Sequence, residues 1–421
     1  MKQKYIIGLF SIIIVFTNCS NENYINVKNL PIPDCTGQNT VWTTFSKNKP
    51  VLLVIPDNPS DSVNFNKMFA FIKGGYNDSL IKKESELLES DYTKALKIYG
   101  IISDFKNWGK LKIPIKQVDK GFEFLNKKYT DKEDGIFYIS DVRMVYTGNS
   151  MNQIWKQQST YPTYYKYMLF ENGLLSKLCI SDTARIDIKK LRETNYNYTS
   201  TKYFNLYIDK KTGEMNIADS VITDICEKLD LNLPDFKINA FIHNDPNATR
   251  LFSNFYFAVG CDTLSQDQKF ATVQIDGIHV TGTDKEFVKH ESFHYVWKKL
   301  VGEPHGNEFF NEGIQEYYQQ LLDSSRIKKN VEIYKRHQEY DITNLVVRGN
   351  SQDFWGAPSE NNWTIAYPIS GLFVKFMIDK KGLDIFKQFF IQKDKSKAFV
   401  ELYGKTDKEM INMFNEWVNV I

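Results

Sequence analysis

His290 and His294 stand four residues apart in the stretch HESFH, with Glu291 between them. On an α-helix, residues at this spacing share one face, and their Cβ atoms lie about 5–6 Å apart. Both imidazoles could therefore reach one Zn²⁺ at about 2.0–2.1 Å. Glu291 is on the same turn, where its carboxylate could take a proton from a water that the zinc polarises. A pair of core histidines or a surface helix would give the same pattern, so a catalytic zinc site requires a third protein ligand.

Glu312 is the candidate for that third ligand. It lies 312 − 294 = 18 residues after His294, within GNEFFNEGIQEYYQQLL, residues 306–322. The apolar and aromatic positions of this stretch recur at helical spacing, and Asn307 is suited to cap the helix. The intervening VGEPHG gives enough chain for a turn and a return beside the first helix. We expect His305, in that turn, to face solvent or substrate, because a fourth protein ligand would close the site.

HESFH followed by NEG resembles the gluzincin group of zinc metallopeptidases, which includes thermolysin, and especially its peptidase MA-like branch. The resemblance covers residues 200–421. It implies one Zn²⁺ per chain and hydrolysis of a peptide bond in a peptide or protein substrate. It also implies the residues of the site, with Glu291 as general base and three metal ligands, His290, His294 and Glu312.

Two polar neighbours of Glu312 are expected to support the ligands. Asn311 matches the position before the third ligand in the family that the sequence resembles, and Gly313 the position after it. Glu316 falls one helical turn beyond Glu312 on the same face, where its carboxylate could accept the free N–H of a ligating histidine. The alternative for Glu316 is a solvated position on the helix surface.

Tyr367 is a second candidate catalytic residue. Pro368 is suited to the first position of a helix, and the Lys-Lys-Gly that ends at Gly382 is suited to its last turn, which places Tyr367 at the helix mouth. A phenol there could donate a hydrogen bond to the oxyanion of a tetrahedral intermediate. In the resembled family a tyrosine before a pair of small residues has this role, and Tyr367 precedes Ser370-Gly371. The alternative is a tyrosine that only packs.

The helix that carries HESFH is expected to begin at a capping box formed by Thr283 and Glu286. Upstream, the polar stretch at residues 192–202 is expected to separate two parts of the chain, and all six histidines follow it. The second part, residues 196–421, is predicted to be a thermolysin-like zincin domain, with a small mixed sheet followed by mostly helical chain. The ten residues ATVQIDGIHV, 271–280, are predicted to form one strand that could line the substrate as an edge strand.

The first part, residues 41–195, is predicted to be an α/β domain of unknown role, which makes the overall class α+β. Strand-like runs at 51–55, 95–102 and 135–140 alternate with longer amphipathic stretches. Two of those stretches are predicted to be helices, one around FNKMFAFIKG and the other at KGFEFLNKKY, residues 120–129.

The N-terminus resembles a bacterial lipoprotein signal. A short basic start and the apolar run YIIGLFSIIIVFT precede Cys19. We therefore predict a signal peptide at 1–18, lipidation of Cys19, a tether at 19–40, and a lipoprotein held on the outer membrane or cell surface. A cleaved secretory signal or an uncleaved anchor are the alternatives, and each exports the chain. The other four cysteines could pair after export or remain buried thiols, namely Cys35, Cys179, Cys226 and Cys261.

Charge gives no sign of a nucleic-acid partner. Fifty-three basic and 51 acidic residues leave a formal net charge of +2, and no long run of one sign stands out. Two other functions stay open at this point, a non-catalytic surface-binding lipoprotein and a zinc hydrolase of non-peptide substrates. The G-x-M-E-N segment of the related aminopeptidases is absent from the sequence, which favours an endopeptidase or a specialised peptidase.

Overall fold

The computed structural model describes residues 25–31, 45, 47–48, 50–73, 76–159, 165–181, 184–213, 215–253, 264–274, 276–347, 354 and 363–421. These residues form mixed α and β structure, which is compatible with the predicted α+β class. The predicted signal peptide, Cys19, Cys35 and Cys261 lie outside the described residues.

Strands of the first half form two sheets. In chain order the described strands are β1 (Val51–Ile55), β2 (Ile81–Lys83), β3 (Ala95–Ile101), β4 (Lys116–Val118), β5 (Gly121–Phe124), β6 (Lys127–Tyr129), β7 (Gly135–Ile139), β8 (Arg143–Gly148), β9 (Tyr167–Glu171), β10 (Leu174–Cys179) and β11 (Arg185–Asp187). Eight of these described strands make one sheet in the order β11-β10-β9-β7-β8-β3-β1-β2, and β4, β5 and β6 make a small antiparallel sheet. The pairings from β2 to β8 are parallel and those from β8 to β11 are antiparallel. The predicted strands at 51–55, 95–102 and 135–140 are thereby confirmed as β1, β3 and β7.

The large sheet has a separate apolar core on each face, because side chains alternate along a strand. Leu53 and Ile55 of β1 face a core to which three helices of the first half contribute, α1 (Ser62–Lys73), α2 (Met151–Ser159) and α3 (Ile188–Asn195). Leu52 and Val54 face the other core, which the small sheet covers. Helix α1 confirms the predicted helix around FNKMFAFIKG.

The prediction of a helix at KGFEFLNKKY is wrong, since this stretch is the hairpin of β5 and β6. Phe122, Phe124 and Tyr129 are buried in the small sheet's core, in a pattern set by strand alternation. Leu125 and Asn126 between them both have positive φ, 49° and 61°, as a two-residue type I′ turn requires. The turn chemistry therefore outweighs the high helix propensity of the glutamate, leucine and lysines around it.

A second sheet begins at Tyr196. Its described strands are β12 (Tyr196–Ser200), β13 (Phe204–Asp209), β14 (Ile238–His243), β15 (Ala271–Gln274) and β16 (Gly277–Thr281), in the order β12-β13-β14-β16-β15. The predicted single strand ATVQIDGIHV is in fact the antiparallel pair β15 and β16. Strand β15 lies at the edge of this sheet, and β16 leads directly into the helix that carries HESFH.

The rest of the described chain is mostly helical, as predicted. Its helices and those between the strands of the second sheet are α4 (Ser220–Lys228), α5 (Pro246–Ser253), α6 (Lys285–Leu300), α7 (Glu308–Leu322), α8 (Ser325–Arg336), α9 (Thr343–Val347), α10 (Trp363–Lys381), α11 (Leu383–Phe390), α12 (Lys395–Ala398) and α13 (Asp407–Val420). Apart from α5, whose Ala248, Leu251 and Phe252 pack in the core beneath α1, α2 and α3, these helices form one core with the inner face of the second sheet, including Ile278 and Val280 of β16.

The starts of α6 and α10 differ from the predictions. Asp284 caps α6, accepting a hydrogen bond from the backbone N–H of Glu286, so the predicted capping box at Thr283 is wrong by one residue. Helix α10 includes Trp363, five residues before Pro368, so Pro368 lies inside the helix and Tyr367 is not at its mouth. Burial of Ala366 and Ile369 on either side of the proline offsets the lost backbone hydrogen bond. The predicted cap of α7 is confirmed, because Asn307 accepts from the N–H of Phe310.

Helices α7 and α10 approach each other through two glycines. A methyl group on Gly313 would lie 2.9 Å from the carbonyl oxygen of Ser370 and 2.9 Å from Cγ2 of Val374. A methyl on Gly371 would lie 2.8 Å from Cβ of Glu316. Only glycine permits this approach, and it sets the position of Tyr367 relative to Glu312.

We predict that Gly313→Ala lowers the free energy of unfolding by about 1–3 kcal/mol, because the added methyl forces two packed backbones apart. Urea unfolding monitored by circular dichroism measures this. Gly109→Ala is the matched control, since a methyl there meets nothing within 4 Å. Equal stability of the two variants would show that α7 and α10 are not tightly packed.

A buried chain of hydrogen bonds crosses the outer face of the second sheet. The Tyr196 hydroxyl is 2.6 Å from Nδ1 of His243, Nε2 of His243 is 3.2 Å from Nδ1 of His279, and Nε2 of His279 is 3.2 Å from Oδ1 of Asp276. A carboxylate only accepts hydrogen bonds, which fixes the direction of each bond in this series. Nε2 of His279 donates to Asp276, Nε2 of His243 donates to His279, and the Tyr196 hydroxyl donates to His243. Both histidines are then neutral. Burial, followed by the nearby His279, holds the pKa of His243 well below its ordinary value.

This arrangement predicts a loss of stability in mild acid. Below pH of about 6.5 the unfolded chain binds a proton at His243 that the folded chain does not, so stability falls as pH falls, by up to about 1.4 kcal/mol per pH unit for one proton. His243→Gln, whose amide cannot titrate, should reduce the difference in unfolding free energy between pH 7.5 and pH 5 with zinc present throughout. His337→Gln, at a half-buried position beside Glu339, should leave that difference close to wild type. An unchanged difference in His243→Gln would contradict the prediction.

Part of the predicted tether is docked on the protein. The backbone N–H of Ile25 donates to Oδ1 of Asn195 at 2.9 Å, and Nδ2 of Asn195 donates to the Ile25 carbonyl at 2.8 Å. Val27 is buried in the core beneath α1, α2 and α3. Ile25 and Val27 of the predicted tether are therefore bound to the folded protein.

Cys226 is a buried free thiol. Cys179 is also buried, and its Sγ donates to the carbonyl of Ser181 at 3.2 Å. Across the part of the chain that the structure describes, every helix is too short or too polar to cross a membrane.

Candidate metal centre

Helices α6 and α7 bring the three predicted metal ligands together. His290 and His294 lie one turn apart on α6, and their Nε2 atoms are 3.1 Å from each other. Glu312 projects from α7, with Oε2 at 3.2 Å from Nε2 of His294 and 3.4 Å from Nε2 of His290. Among the described residues, these three form a group whose ligand atoms lie close enough together to hold one metal ion.

The spacing of the three atoms fits a metal ion. Tetrahedral ligands at about 2.0–2.1 Å from Zn²⁺ lie about 3.3–3.4 Å from one another, close to the separations observed. Hydrogen bonds alone fit less well. If both Nε2 atoms carried protons toward Glu312, the two N–H groups would repel each other. If one Nε2 carried no proton, its lone pair would face the carboxylate oxygen, and that contact would be repulsive instead. One cation among the three atoms satisfies all of them.

Electrostatics of the ligands favour the charged form of Glu312. Burial alone would raise the pKa of Glu312, but His294 and His290 outweigh this effect and hold the pKa well below its usual range. Burial alone would lower the pKa of His294, and the Glu312 carboxylate raises it instead. The ligand carboxylate is therefore ionised at neutral pH, as metal binding requires.

Asn311 orients the Glu312 carboxylate. Its Nδ2 donates to Oε1 of Glu312 at 3.3 Å, which leaves Oε2 to face the histidines. The same nitrogen donates to Oε2 of Glu308 at 3.3 Å. Sequence reasoning placed Asn311 here but missed Glu308, which the four-residue spacing before Glu312 would have indicated.

Glu291 is buried beside the ligands, with 8% of its surface exposed. Burial raises its pKa to about 7, with His290 opposing the rise and Glu312 adding to it. A divalent cation at the three ligand atoms would lower this pKa toward the charged form, since the ion is the largest local charge. The carboxylate is thus placed where its proton affinity depends on the metal.

Tyr367 lies at the same centre. Its ring centroid is 6.4 Å from that of His290. Burial, followed by the Glu312 carboxylate, to which its hydroxyl donates, raises the pKa of Tyr367 well above its ordinary value. The phenol therefore stays protonated and can act only as a donor or a neutral contact at neutral pH.

Glu316 does not support a histidine. Its carboxylate receives hydrogen bonds from Nη2 of Arg326 at 2.9 Å and from Nδ2 of Asn330 at 2.9 Å, both on α8. The predicted support of a ligand by Glu316 is therefore wrong, and so is the alternative of a solvated glutamate. Residue spacing placed it on the correct helix face but could not show that α8 supplies a guanidinium and an amide there. Among the described residues, Nδ1 of His294 is buried without a hydrogen-bond partner.

Comparisons with protein-family models, with curated proteins and with solved structures found no match for this chain.

We predict that Asn311→Ala weakens zinc binding by about 10- to 100-fold, the usual effect of removing a residue that orients a ligand. Competition with a fluorescent zinc chelator measures the affinity. Glu316→Gln, a similar polar change one turn away, should leave zinc affinity near wild type because Glu316 binds Arg326. A larger loss in Glu316→Gln than in Asn311→Ala would contradict the assignment.

Proposed function

We propose that the chain is an exported zinc-dependent peptidase with a thermolysin-like catalytic domain, held on a membrane through lipidated Cys19. The observation that carries the proposal is the convergence of His290, His294 and Glu312 at 3.1–3.4 Å with Glu291 buried beside them. Three protein ligands leave a fourth position open, which is the arrangement of catalytic zinc sites.

Zinc at this site would supply the polarisation of a water and of a substrate carbonyl. Glu291 would take the proton from the attacking water and hand it to the leaving amine. Its place one residue from a ligand keeps the carboxylate within reach of the ion's open position, and its burial makes it a stronger base than a solvated glutamate. Asn311 keeps one oxygen of Glu312 directed at the histidines throughout.

Tyr367 is proposed to donate a hydrogen bond to the oxyanion of the intermediate. Its hydroxyl is held at the centre by α10, and its raised pKa keeps the proton on the phenol. In the structure that proton is directed to Glu312, so the bond to the oxyanion requires a small rotation of the ring or of the carboxylate. Such donors typically contribute about 2.7–4 kcal/mol to the transition state.

The edge strand β15 favours a peptide substrate. It pairs on one side with β16, and its outer edge can add an extended chain by main-chain hydrogen bonds. Helix α6 follows β16 directly, so a segment bound along β15 would run close to the helix that carries the histidines.

The test is the loss of peptide cleavage in Glu291→Gln at unchanged zinc content. Residues 20–421 would be incubated with a mixed peptide library and the products read by mass spectrometry. We expect about one zinc per chain in both proteins and at least a 10²-fold lower cleavage rate in the variant, because the general base is removed while the ligands remain.

Glu286→Gln is the matched control, since Glu286 is an exposed residue on the same helix paired with Lys289. It should cleave like the wild type. Zinc without cleavage in any of these proteins would shift the proposal to a zinc hydrolase of non-peptide substrates or to a binding protein. Absence of zinc would overturn the metal centre itself.

A further inference from the structure

The link between Cys19 and the folded protein is short. The backbone of Ile25 is fixed to the side-chain amide of Asn195 by two hydrogen bonds, and Val27 is buried. The six steps from Cys19 to Ile25 can span at most about 22 Å when fully extended. A compact protein of this length has a radius of gyration of about 22 Å, hence a diameter of ~55 Å. The link is therefore less than half the diameter, and it cannot let the protein turn freely over a bilayer.

Basic residues surround the point where the link is fixed. The backbone N–H of Lys210 donates to the carbonyl of Asn195 at 2.9 Å, and its ammonium donates to the carbonyl of Thr194. Lys210 and Lys211 are both exposed in the turn after β13. Lys190 is exposed one turn before Thr194 on α3, between two exposed acids, Glu193 and the N-cap residue Asp187. The balance of these five groups is +1.

We propose that the surface formed by Ile25, the end of α3 and the Lys210-Lys211 turn faces the membrane and contacts anionic lipid headgroups. The inference rests on lipidation of Cys19, which belongs to the proposed function, and not on peptidase activity. The short link brings this surface to the bilayer, and each lysine near an anionic surface strengthens the contact. The protein is thus held in one orientation and does not swing on its anchor.

Control lysines lie on the other side of the large sheet. Lys120 and Lys128 are exposed on the small sheet, which packs against the face carrying Leu52 and Val54. Val27 belongs to the core on the opposite face, with Leu53 and Ile55. Lys120 and Lys128 should therefore stay accessible when the protein is bound to a membrane.

The test measures protection of individual lysines from a membrane-impermeant amine reagent. Purified full chain carrying lipid on Cys19 would be bound to vesicles containing one-third phosphatidylglycerol and compared with the soluble Cys19→Ser chain, with labelling of each lysine read by mass spectrometry. We expect Lys210 and Lys211 to label at least fivefold more slowly on vesicles, and Lys120 and Lys128 to label equally in both states.

Two variants separate the causes of protection. A flexible 20-residue glycine-serine insertion between Asn21 and Glu22, combined with Lys210→Gln and Lys211→Gln, should make Lys190 as reactive on vesicles as in solution. Lys120→Gln with Lys128→Gln and the same insertion is the matched control, and should retain protection of Lys210 and Lys211 through headgroup contact.

Each outcome bears on a different claim. A lipidated chain in which Lys210 and Lys211 label as fast on vesicles as in solution would overturn the proposed surface. Equal protection on vesicles of neutral phosphatidylcholine would overturn the role of anionic headgroups. A chain without lipid on Cys19 would overturn the anchor and this inference with it, while leaving the zinc peptidase untouched.

Discussion

The burial of the Glu312 carboxylate between two histidines is the interaction on which the region around α6 and α7 depends. A carboxylate with 5% of its surface exposed is costly to fold unless positive charge or hydrogen bonds compensate it. Here the compensation comes from His290 and His294 across the helix pair and from Asn311 on its own helix. The three atoms remain crowded without a cation, so the protein's own groups balance the charge incompletely. A divalent cation bound by the three atoms would complete that balance and would stabilise the folded state.

The close approach of α7 and α10 follows from the same requirement. Tyr367 reaches Glu312 because Gly313 and Gly371 have no side chains. The backbone of each helix can therefore lie against atoms of the other helix. Arg326 and Asn330 from α8 hold Glu316 on the neighbouring turn of α7, so a second buried carboxylate is paired away from the metal. Two acids one turn apart on one helix thus have separate partners, and the nearer one alone is directed at the histidines.

Much of the site could be predicted from sequence because its signals are local. The spacing of His290 and His294 is a property of a single helix. Asn307 caps α7 by accepting a hydrogen bond from the N–H of Phe310, three residues further along the chain. The predictions were wrong where residues distant in the sequence determine the local structure. Pro368 lies inside α10 because burial on both sides of it outweighs the lost hydrogen bond, and Glu316 finds its partners on α8. At Leu125-Asn126 the missed signal was local, a pair of left-handed residues that forms a hairpin turn in a stretch with helical composition.

The first half of the chain is joined to helix α6 through the second sheet. Side chains alternate along β16, so His279 points to the outer face and its hydrogen-bonded chain, while Ile278 and Val280 point to the core under α6. Asp276 at the other end of that chain also raises the pKa of Tyr295, second to burial, next to the ligand His294 on α6. A change at the junction of the two halves, in protonation or in the packing of Tyr196, therefore acts on the same strand that positions the metal-binding helix. Residues 41–195 reach β16 through α5, whose Ala248, Leu251 and Phe252 pack in the core beneath α1, α2 and α3. The Thr249 hydroxyl of α5 lies 2.7 Å from that of Thr281 on β16. The first half therefore acts on the position of His290 and His294 through α5 and β16.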